Sequence, residues 1–283
     1  MEEIKHMDIS AGIVLFNPDI NRLKENISAV IVQCTHIYLV DNGSNNIDEV
    51  KELLNQYNQS KISILCNTEN QGIAKALNQL TAAAQKGGFE WILTLDQDSV
   101  APSNIAEEFE KYTNNLNAGM LCPVICDRNK GVVVEAKDGY KEIDECITSG
   151  SLLNIKSWSE IGGFDESMFI DGVDFDICYR LRKSGYKILC IQSVVLLHEL
   201  GRIEYHRFIF WKVLVKNHSA FRKFYIARNT VYLARKEHTN IIKAILQNVK
   251  LFLITVCYED DKWKKSKKIL QGTIDGFKCE IER

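Results

Sequence analysis

The sequence predicts an α/β fold: a mixed, mainly parallel central sheet flanked by helices in the Rossmann-like manner, followed by a C-terminal helical extension. Two observations predict it. Short apolar runs alternate with amphipathic stretches through the first half of the chain, and each apolar run ends in a cluster of polar turn formers. A strand–helix alternation implies parallel strands joined by right-handed crossovers. In such a sheet the ligand sits beyond the carboxyl ends of the strands, so the clusters after the runs are the residues to examine.

The runs 9–16, 37–40, 62–65 and 91–95 predict buried strands, and the stretches 20–34, 47–57 and 73–86 predict helices with apolar residues at helical spacing. From residue 119 the pattern loosens. Strands are expected at 120–125, 132–135, 147–153 and 188–196, with one helix over 175–184, as a mixed extension of the first sheet. Beyond Arg202 the composition reads as helical, basic and aromatic. The expected domains are therefore 1–201, holding the ligand edge, and 202–283, an amphipathic extension.

With 283 residues, 46% of them hydrophobic and 25% charged, the chain can bury a large core and has no signature of disorder. Net charge is −2, yet residues 201–240 hold nine Lys/Arg against two acids, which points the C-terminal third toward an anionic partner. The nine cysteines have neither a CxxC pair nor zinc-finger spacing and read as reduced, buried thiols of a cytoplasmic protein. Cys122 and Cys126 flank Pro123 on an expected strand and read as core residues. No secretory leader is expected from MEEIKHMDIS, and the longest apolar run, 251–258, is far short of the roughly 20 residues of a spanning helix.

Four polar clusters follow the first four strands: Asn17-Pro18, Asp41-Asn42-Gly43-Ser44, the stretch from Asn67 to Gly72, and Asp96-Gln97-Asp98-Ser99. Any one of them is ordinary turn chemistry; four on one sheet edge make a candidate site. Two carboxylates one residue apart at a buried strand end repel each other unless a cation sits between them, and hard divalent ions bridge such carboxylates to diphosphate oxygens. A second acidic cluster, Asp171-Gly172-Val173-Asp174-Phe175-Asp176, precedes a helical run. Its Asp174 reads, on position alone, as a helix cap.

These motifs, with Asn70-Gln71-Gly72-Ile73-Ala74-Lys75-Ala76-Leu77-Asn78, Ser149-Gly150-Ser151 and Gly162-Gly163-Phe164-Asp165-Glu166, resemble the inverting family-2 glycosyltransferases of GT-A fold. The DQDS cluster leans toward the bacterial rhamnosyltransferase branch. The resemblance implies a metal-dependent transferase using Mn²⁺ or Mg²⁺. Its donor would be a nucleotide-diphosphate sugar such as dTDP-rhamnose, or alternatively UDP-hexose, and its acceptor a carbohydrate or lipid-linked glycan of surface polysaccharide synthesis.

Carried onto this sequence, the resemblance implies donor contacts from Asn17, Asp41, Asn70, Gly72, Lys75, Asn78, Asp96 and Gln97, with Asp41 accepting from a pyrimidine N–H. It implies metal ligation by Asp96, Asp98 and His198. Asp174 would be the base, with Asp171 the runner-up. Asp171, Asp176, Trp158 and Arg180 would face the acceptor, and Phe164 and Phe169 could stack on sugar rings. A sugar-phosphate nucleotidyltransferase is the rival enzyme class, but it calls for a Gly-rich basic loop after the first strand, where Phe16-Asn17-Pro18-Asp19 stands.

The basic and aromatic residues from 202 to 236 suit an anionic membrane surface better than nucleic acid. The following helix carries Ile241, Ile245, Val249, Phe252 and Val256 on one stripe. A peripheral enzyme on the inner face of the cytoplasmic membrane is therefore expected, with packing on its own domain or on a twin subunit as the other reading of this region.

Overall fold

The computed structural model describes residues 8–115, 117–127, 137–198, 204–208 and 211–281. The chain forms two compact units, one made of Met1–Ser167 with Asp174–Glu199, the other of Met168–Val173 with Leu200–Arg283.

In the first unit the elements run β1 (Ile9–Leu15), α1 (Ile20–Val30), β2 (His36–Asp41), α2 (Ile47–Leu54), β3 (Ile62–Cys66), α3 (Ile73–Lys86), β4 (Trp91–Asp96) and α4 (Ile105–Thr113). There follow β5 (Ala118–Asp127), β6 (Tyr140–Ile143), β7 (Ser151–Asn154), α5 (Ile155–Glu160), α6 (Val173–Lys183) and β8 (Lys187–His198). They build an eight-stranded sheet of order β3-β2-β1-β4-β7-β5-β8-β6. The first four strands are mutually parallel, β7 is antiparallel to both β4 and β5, β8 is parallel to β5, and β6 is antiparallel to β8.

The predicted α/β architecture is therefore the observed one, and its cause is visible in β1. All seven of its residues are buried, as expected of a parallel strand covered by helices on both faces. Asp19 caps α1 by accepting from the Arg22 N–H at 3.0 Å, and α1 ends at Val30, short of the expected residue 34. In β5 the pairing with β8 shifts register between Pro123 and Val124, where proline offers the ladder no N–H. Cys122 and Cys126 are buried on that strand as expected. Not every thiol is buried, however: Cys66 and Cys257 are exposed. The expected strand at 132–135 lies outside the described residues.

The second unit corrects the expectation that everything beyond Arg202 is helical. Before its helices comes an antiparallel hairpin of β9 (Glu204–Phe208) and β10 (Trp211–Val215). Two stretches rich in aromatic and β-branched residues flank a two-residue connection, which suits strands better than a helix. Three helices follow: α7 (Ala220–Lys236), α8 (Ile241–Tyr258) and α9 (Lys262–Lys278).

Helices α7 and α9 pack backbone to backbone. A Cβ added at Gly272 would overlap the Phe224 carbonyl, and one at Gly276 would overlap the carbonyl of Arg228. Nor is α7 the basic outer face its composition suggests. Its Lys223, Arg228 and Tyr232 are all buried. The Lys223 ammonium pairs with Glu259 Oε1, and Lys265 pairs with Glu259 Oε2 at 3.2 Å and with Asn217. Burial pushes the Lys223 ammonium down, and Glu259 opposes that shift.

This buried charge can be tested at two positions. Glu259→Gln leaves two interior ammonium groups without a counterion and should cost about 3–5 kcal/mol of unfolding free energy, read from urea denaturation; a loss below about 1 kcal/mol would mean the triad is not holding the helices. His218 is the second position. Burial, then the charges of Arg222, Lys216, Lys223 and Lys265, push its imidazole down to about 4, so the folded protein holds it neutral where the unfolded chain titrates near the ordinary 6.5. Between those two values the unfolded state binds the extra proton, so stability falls as pH drops from 6.5 toward 4. His218→Gln should flatten that fall in thermal melts taken across the window.

Candidate active site

The carboxyl ends of the first strands lie level. Leu15 is in register with Asp41, Val14 with Asp96, and Asp41 with Cys66. At this edge Asp41 is buried, and its Oδ2 accepts from the Gly43 N–H at 3.2 Å and the Ser44 N–H at 3.1 Å. Its Oδ1 is also buried and has no hydrogen-bond partner among the described residues. A buried carboxylate oxygen without a donor is costly, and a ligand N–H would relieve it. Gly43, at φ +81°, lies so close to the Glu69 backbone that a side chain would not fit.

Asn42 builds the neighbouring loop. Its Nδ2 donates to Asn70 Oδ1 at 3.0 Å and to the Gly72 carbonyl at 3.1 Å, while its Oδ1 accepts from Asn67 Nδ2 and the Gln71 N–H. Asn70 Oδ1 also accepts from the Gly72 N–H at 2.9 Å. The loop delivers Gly72, at φ +88°, to the position just before a 14-residue helix, α3, whose N-terminus has no side-chain cap and no acid in its first turn. That leaves the helix's positive end suited to an anion. Lys75 sits in this turn, 3.7 Å from Glu166 in a solvent-exposed pair. Asn17, at φ +47°, clasps the edge from the other side: its N–H donates to Ser44 Oγ at 2.7 Å, and its Oδ1 accepts from the Asn45 N–H at 2.8 Å.

Asn78, expected as a donor contact, is engaged by protein groups in this structure. Its Oδ1 accepts from the Phe164 N–H and from Trp158 Nε1, and its Nδ2 donates to the Phe164 carbonyl and to Glu166 Oε1. All four hydrogen-bonding positions of the amide are used, so Asn78 fastens α3 to the 158–166 segment. Trp158 is held by the same clamp, and Phe164 is buried in the core.

At the end of β4, Gln97 pairs with the backbone of Phe16, accepting from its N–H at 2.8 Å and donating to its carbonyl at 3.3 Å. Asp98 is exposed beside it, and Asp96 is half-buried. Among the described residues no three His, Cys, Asp or Glu side chains gather as a ready metal cage. Two carboxylates of hard oxygen donors do suit a Mg²⁺ or Mn²⁺ ion completed by substrate phosphates, the arrangement Mg²⁺ favours over an all-protein cage. His198 closes β8 opposite Asp127, but its side chain lies outside the described residues.

The second carboxylate is fixed to this edge by hydroxyl groups. Thr94, buried on β4, donates to the Thr148 carbonyl at 2.6 Å and the Ser151 carbonyl at 3.1 Å. Thr148 in turn donates from both its N–H (2.9 Å) and its Oγ1 (2.7 Å) to Asp174 Oδ1. Ser149 Oγ accepts from the Asp96 N–H and shares a 2.8 Å hydrogen bond with Ser99. Asp174 is the second residue of α6, and its Oδ1 is bonded across to Thr148.

Its acidic neighbours are engaged elsewhere. Asp176 is buried and holds Arg180 through Nε at 2.8 Å and Nη2 at 2.6 Å, while Arg180 Nη1 donates to the Ile161 carbonyl. This pair braces α6. In the second unit, Asp171 is gripped by Arg222 through three contacts of 2.8 to 3.1 Å. In the same unit Phe169 stacks on Tyr225.

Thr148 falls outside every motif of the sequence reading, and Asn42, Ser99 and Ser149 fall inside motifs that assign them no individual role. The signal available in the sequence is that Ser149-Gly150-Ser151 and Asp41-Asn42-Gly43-Ser44 are themselves motifs.

Residues 10–164 match the glycosyl transferase family 2 profile. Among curated proteins the chain is similar to the dTDP-rhamnosyl transferase RfbF of Shigella flexneri, with 28% identity over 96% of each chain. Among solved structures it resembles GalNAc-T7 with UDP, GalNAc and Mn²⁺ at 17% identity and a TM-score of 0.59, over 82% of this chain and 48% of that one. It also resembles the mannosyltransferase PcManGT from Pyrobaculum calidifontis in complex with GDP-Man and Mn²⁺, at 12% identity and a TM-score of 0.60, over 98% of this chain and 77% of that one. At these identities the structural likenesses establish the GT-A fold.

The hydroxyl chain yields a prediction of its own. Thr94→Val keeps the side-chain shape but strips the donor from two carbonyls, and should cost about 1–3 kcal/mol of stability. Thr94→Ser, which keeps the hydroxyl, should recover most of it, whereas equal losses in the two variants would assign the effect to packing.

Proposed function

The chain belongs to glycosyl transferase family 2, and from that premise we propose that it transfers L-rhamnose from dTDP-rhamnose, with inversion, to a lipid-linked or oligosaccharide acceptor of bacterial surface polysaccharide. In this reading it works in the cytoplasm, peripheral to the inner face of the cytoplasmic membrane. The observation that carries the donor site is the buried Asp41 Oδ1 without a protein donor among the described residues, level with the acidic end of β4. The choice of sugar rests on the near full-length similarity to the Shigella flexneri enzyme. Membership of this family displaces the nucleotidyltransferase alternative.

In this proposal Asp41 accepts from the pyrimidine N–H of the donor. The uncapped start of α3, with Lys75 in its first turn, faces the diphosphate. Asn17, Asn70, Gly72 and Gln97 shape the walls through their backbone contacts rather than by gripping the sugar. Asp96 and Asp98 hold a Mn²⁺ or Mg²⁺ ion, which when bound offsets the charge of the departing diphosphate; His198 is the third ligand expected from the sequence. Asp174 takes the proton of the acceptor hydroxyl as that oxygen attacks the anomeric carbon from the face opposite the diphosphate. The new glycosidic bond forms as the bond to the diphosphate oxygen breaks, and the configuration inverts. Thr148, bonding twice to Asp174 Oδ1, fixes the rotamer that makes this approach possible, a positioning role.

The test is nucleoside diphosphate release from dTDP-rhamnose, UDP-glucose, UDP-galactose and GDP-mannose, with and without Mn²⁺. Turnover is expected with dTDP-rhamnose and the metal. Asp174→Asn should lower kcat by about 10²–10⁴-fold while still binding donor. Asp98→Ala should lose the response to Mn²⁺, and Asp41→Asn should raise the donor KM by roughly 10–100-fold. Preference for UDP-glucose or UDP-galactose would replace the sugar assignment with the UDP-hexose one. Unchanged turnover in Asp174→Asn would remove that residue as the base.

A further inference from the structure

Helix α8 faces the wrong way for a soluble bundle. The residues it buries are small or polar: Ala244, Asn248 and Thr255. Asn248 Nδ2 is directed inward, to the Ala227 carbonyl at 2.8 Å and Thr273 Oγ1 at 3.0 Å. Its large aliphatic side chains point to solvent: Ile242 is 64% exposed, Leu246 61% and Leu253 55%, with Val249 and Val256 on the same stripe. At 100° per residue these five lie within a single face opposite the buried one. The stripe expected from the sequence, with Ile241 and Phe252, is only the edge of this face, since both of those are partly covered.

Helix α9 repeats the arrangement. Trp263 is 91% exposed, and Leu270, Ile274 and Phe277 follow it on one line of the helix. Lysines 262, 264, 267 and 278 are exposed around this line, as are Lys243 and Lys250 beside the α8 stripe, while the Lys268 ammonium sits over the Phe224 ring; α8 itself contains no acidic residue. Monomeric soluble domains rarely leave two such apolar lines uncovered.

We infer that these faces of α8 and α9 dock on the surface of an anionic phospholipid bilayer, with the helices lying in the interface and their lysines among the headgroups. Charge complementarity selects this occupant. A second copy applied to the same faces by a two-fold axis would bring two lysine-bearing faces together, whereas an anionic headgroup layer offers counter-charges to the exposed lysines beside the apolar lines. An aromatic side chain as exposed as Trp263 suits the headgroup level. By length and composition α8 could cross a bilayer, but insertion would take Lys250, in the middle of the helix, into hydrocarbon and part Asn248 from its inward hydrogen bonds. The inference depends on the second unit alone and stands whether or not the donor assignment does.

The full chain is sedimented with phosphatidylcholine vesicles, with and without phosphatidylglycerol. Binding is expected to the anionic vesicles, falling with added salt. Leu246→Glu/Leu253→Glu changes two exposed positions, so its circular dichroism should match wild type while its partitioning drops at least about tenfold. Lys264→Gln/Lys267→Gln should bind more weakly and lose part of the salt response. Trp263 provides a readout that needs no fold-sensitive change: the difference emission between wild type and Trp263→Phe should shift to the blue on anionic vesicles. Absence of wild-type binding, no emission shift, or equal binding by the Leu246→Glu/Leu253→Glu variant each overturns the inference. So does a reversible dimer in equilibrium sedimentation that this variant abolishes without changing vesicle binding, which would give the faces to a second copy.

Discussion

The site depends on one antiparallel strand. Four parallel strands bring Asp41, the start of α3 and the Asp96–Asp98 cluster to one edge, but a parallel sheet alone has no means of setting another carboxylate beside them. β7 supplies it by pairing antiparallel with β4, from Thr94↔Ser151 to Trp91↔Asn154. The turn that leads into β7 therefore arrives at the carboxyl edge. Thr94 pins that turn through two carbonyls, and the Gly150 N–H returns a bond to the Thr94 carbonyl at 2.7 Å. The turn then holds Asp96 through Ser149 and Asp174 through Thr148. Gly150 makes its contact at φ +78°, a conformation that favours glycine, so the glycine of the Ser149-Gly150-Ser151 motif is there for the turn and its serines for the bonds. Two carboxylate clusters about 80 residues apart in sequence thereby share one hydrogen-bonded frame.

How much of this is legible in the sequence follows from the physics of each half. The strands β1, β2 and β4 are largely covered on both faces, so they appear as unbroken apolar runs, and their predicted ends fall within a residue of the observed ones. β6 is a short edge strand, mostly exposed, and leaves no such run to read. The hairpin of β9 and β10 is hidden because its mixture of charged and aromatic residues also suits a basic amphipathic helix.

Among the candidate site residues, Asp41, Asp96, Asp98 and Asp174 draw attention in the sequence because a carboxylate at a strand end or helix start needs a reason to be there. The partners that sequence cannot supply are those that come from distant segments. Asn78 is paired with residues 80 to 88 positions away, and Asp171 with an arginine 51 positions on. A polar residue inside a motif looks the same in sequence whether it faces a ligand or fastens two segments together. Only the count of used donors and acceptors distinguishes the two.

The second unit shows how a helical bundle can be held without using up its large apolar residues. Gly272 and Gly276 let α9 approach α7 until main chain meets main chain, so dispersion between closely packed backbones adds to the packing of buried Val231, Tyr232 and Ile269. Glu259, paired with both Lys223 and Lys265 in the interior, fixes the α8–α9 corner against α7 through directional bonds. Buried ion pairs of this kind are weak evidence for stability, since a hydrophobic interior of the same volume often holds at least as well; what they do here is fix one arrangement of the three helices. What the arrangement leaves over is the aliphatic face of α8 and the aromatic line of α9. α8 turns its aliphatic side chains outward because the residues it lends to the interior are Ala244, Asn248 and Thr255, and that is the condition a surface-docking helix must meet: its fold has to be complete before its apolar face finds a partner.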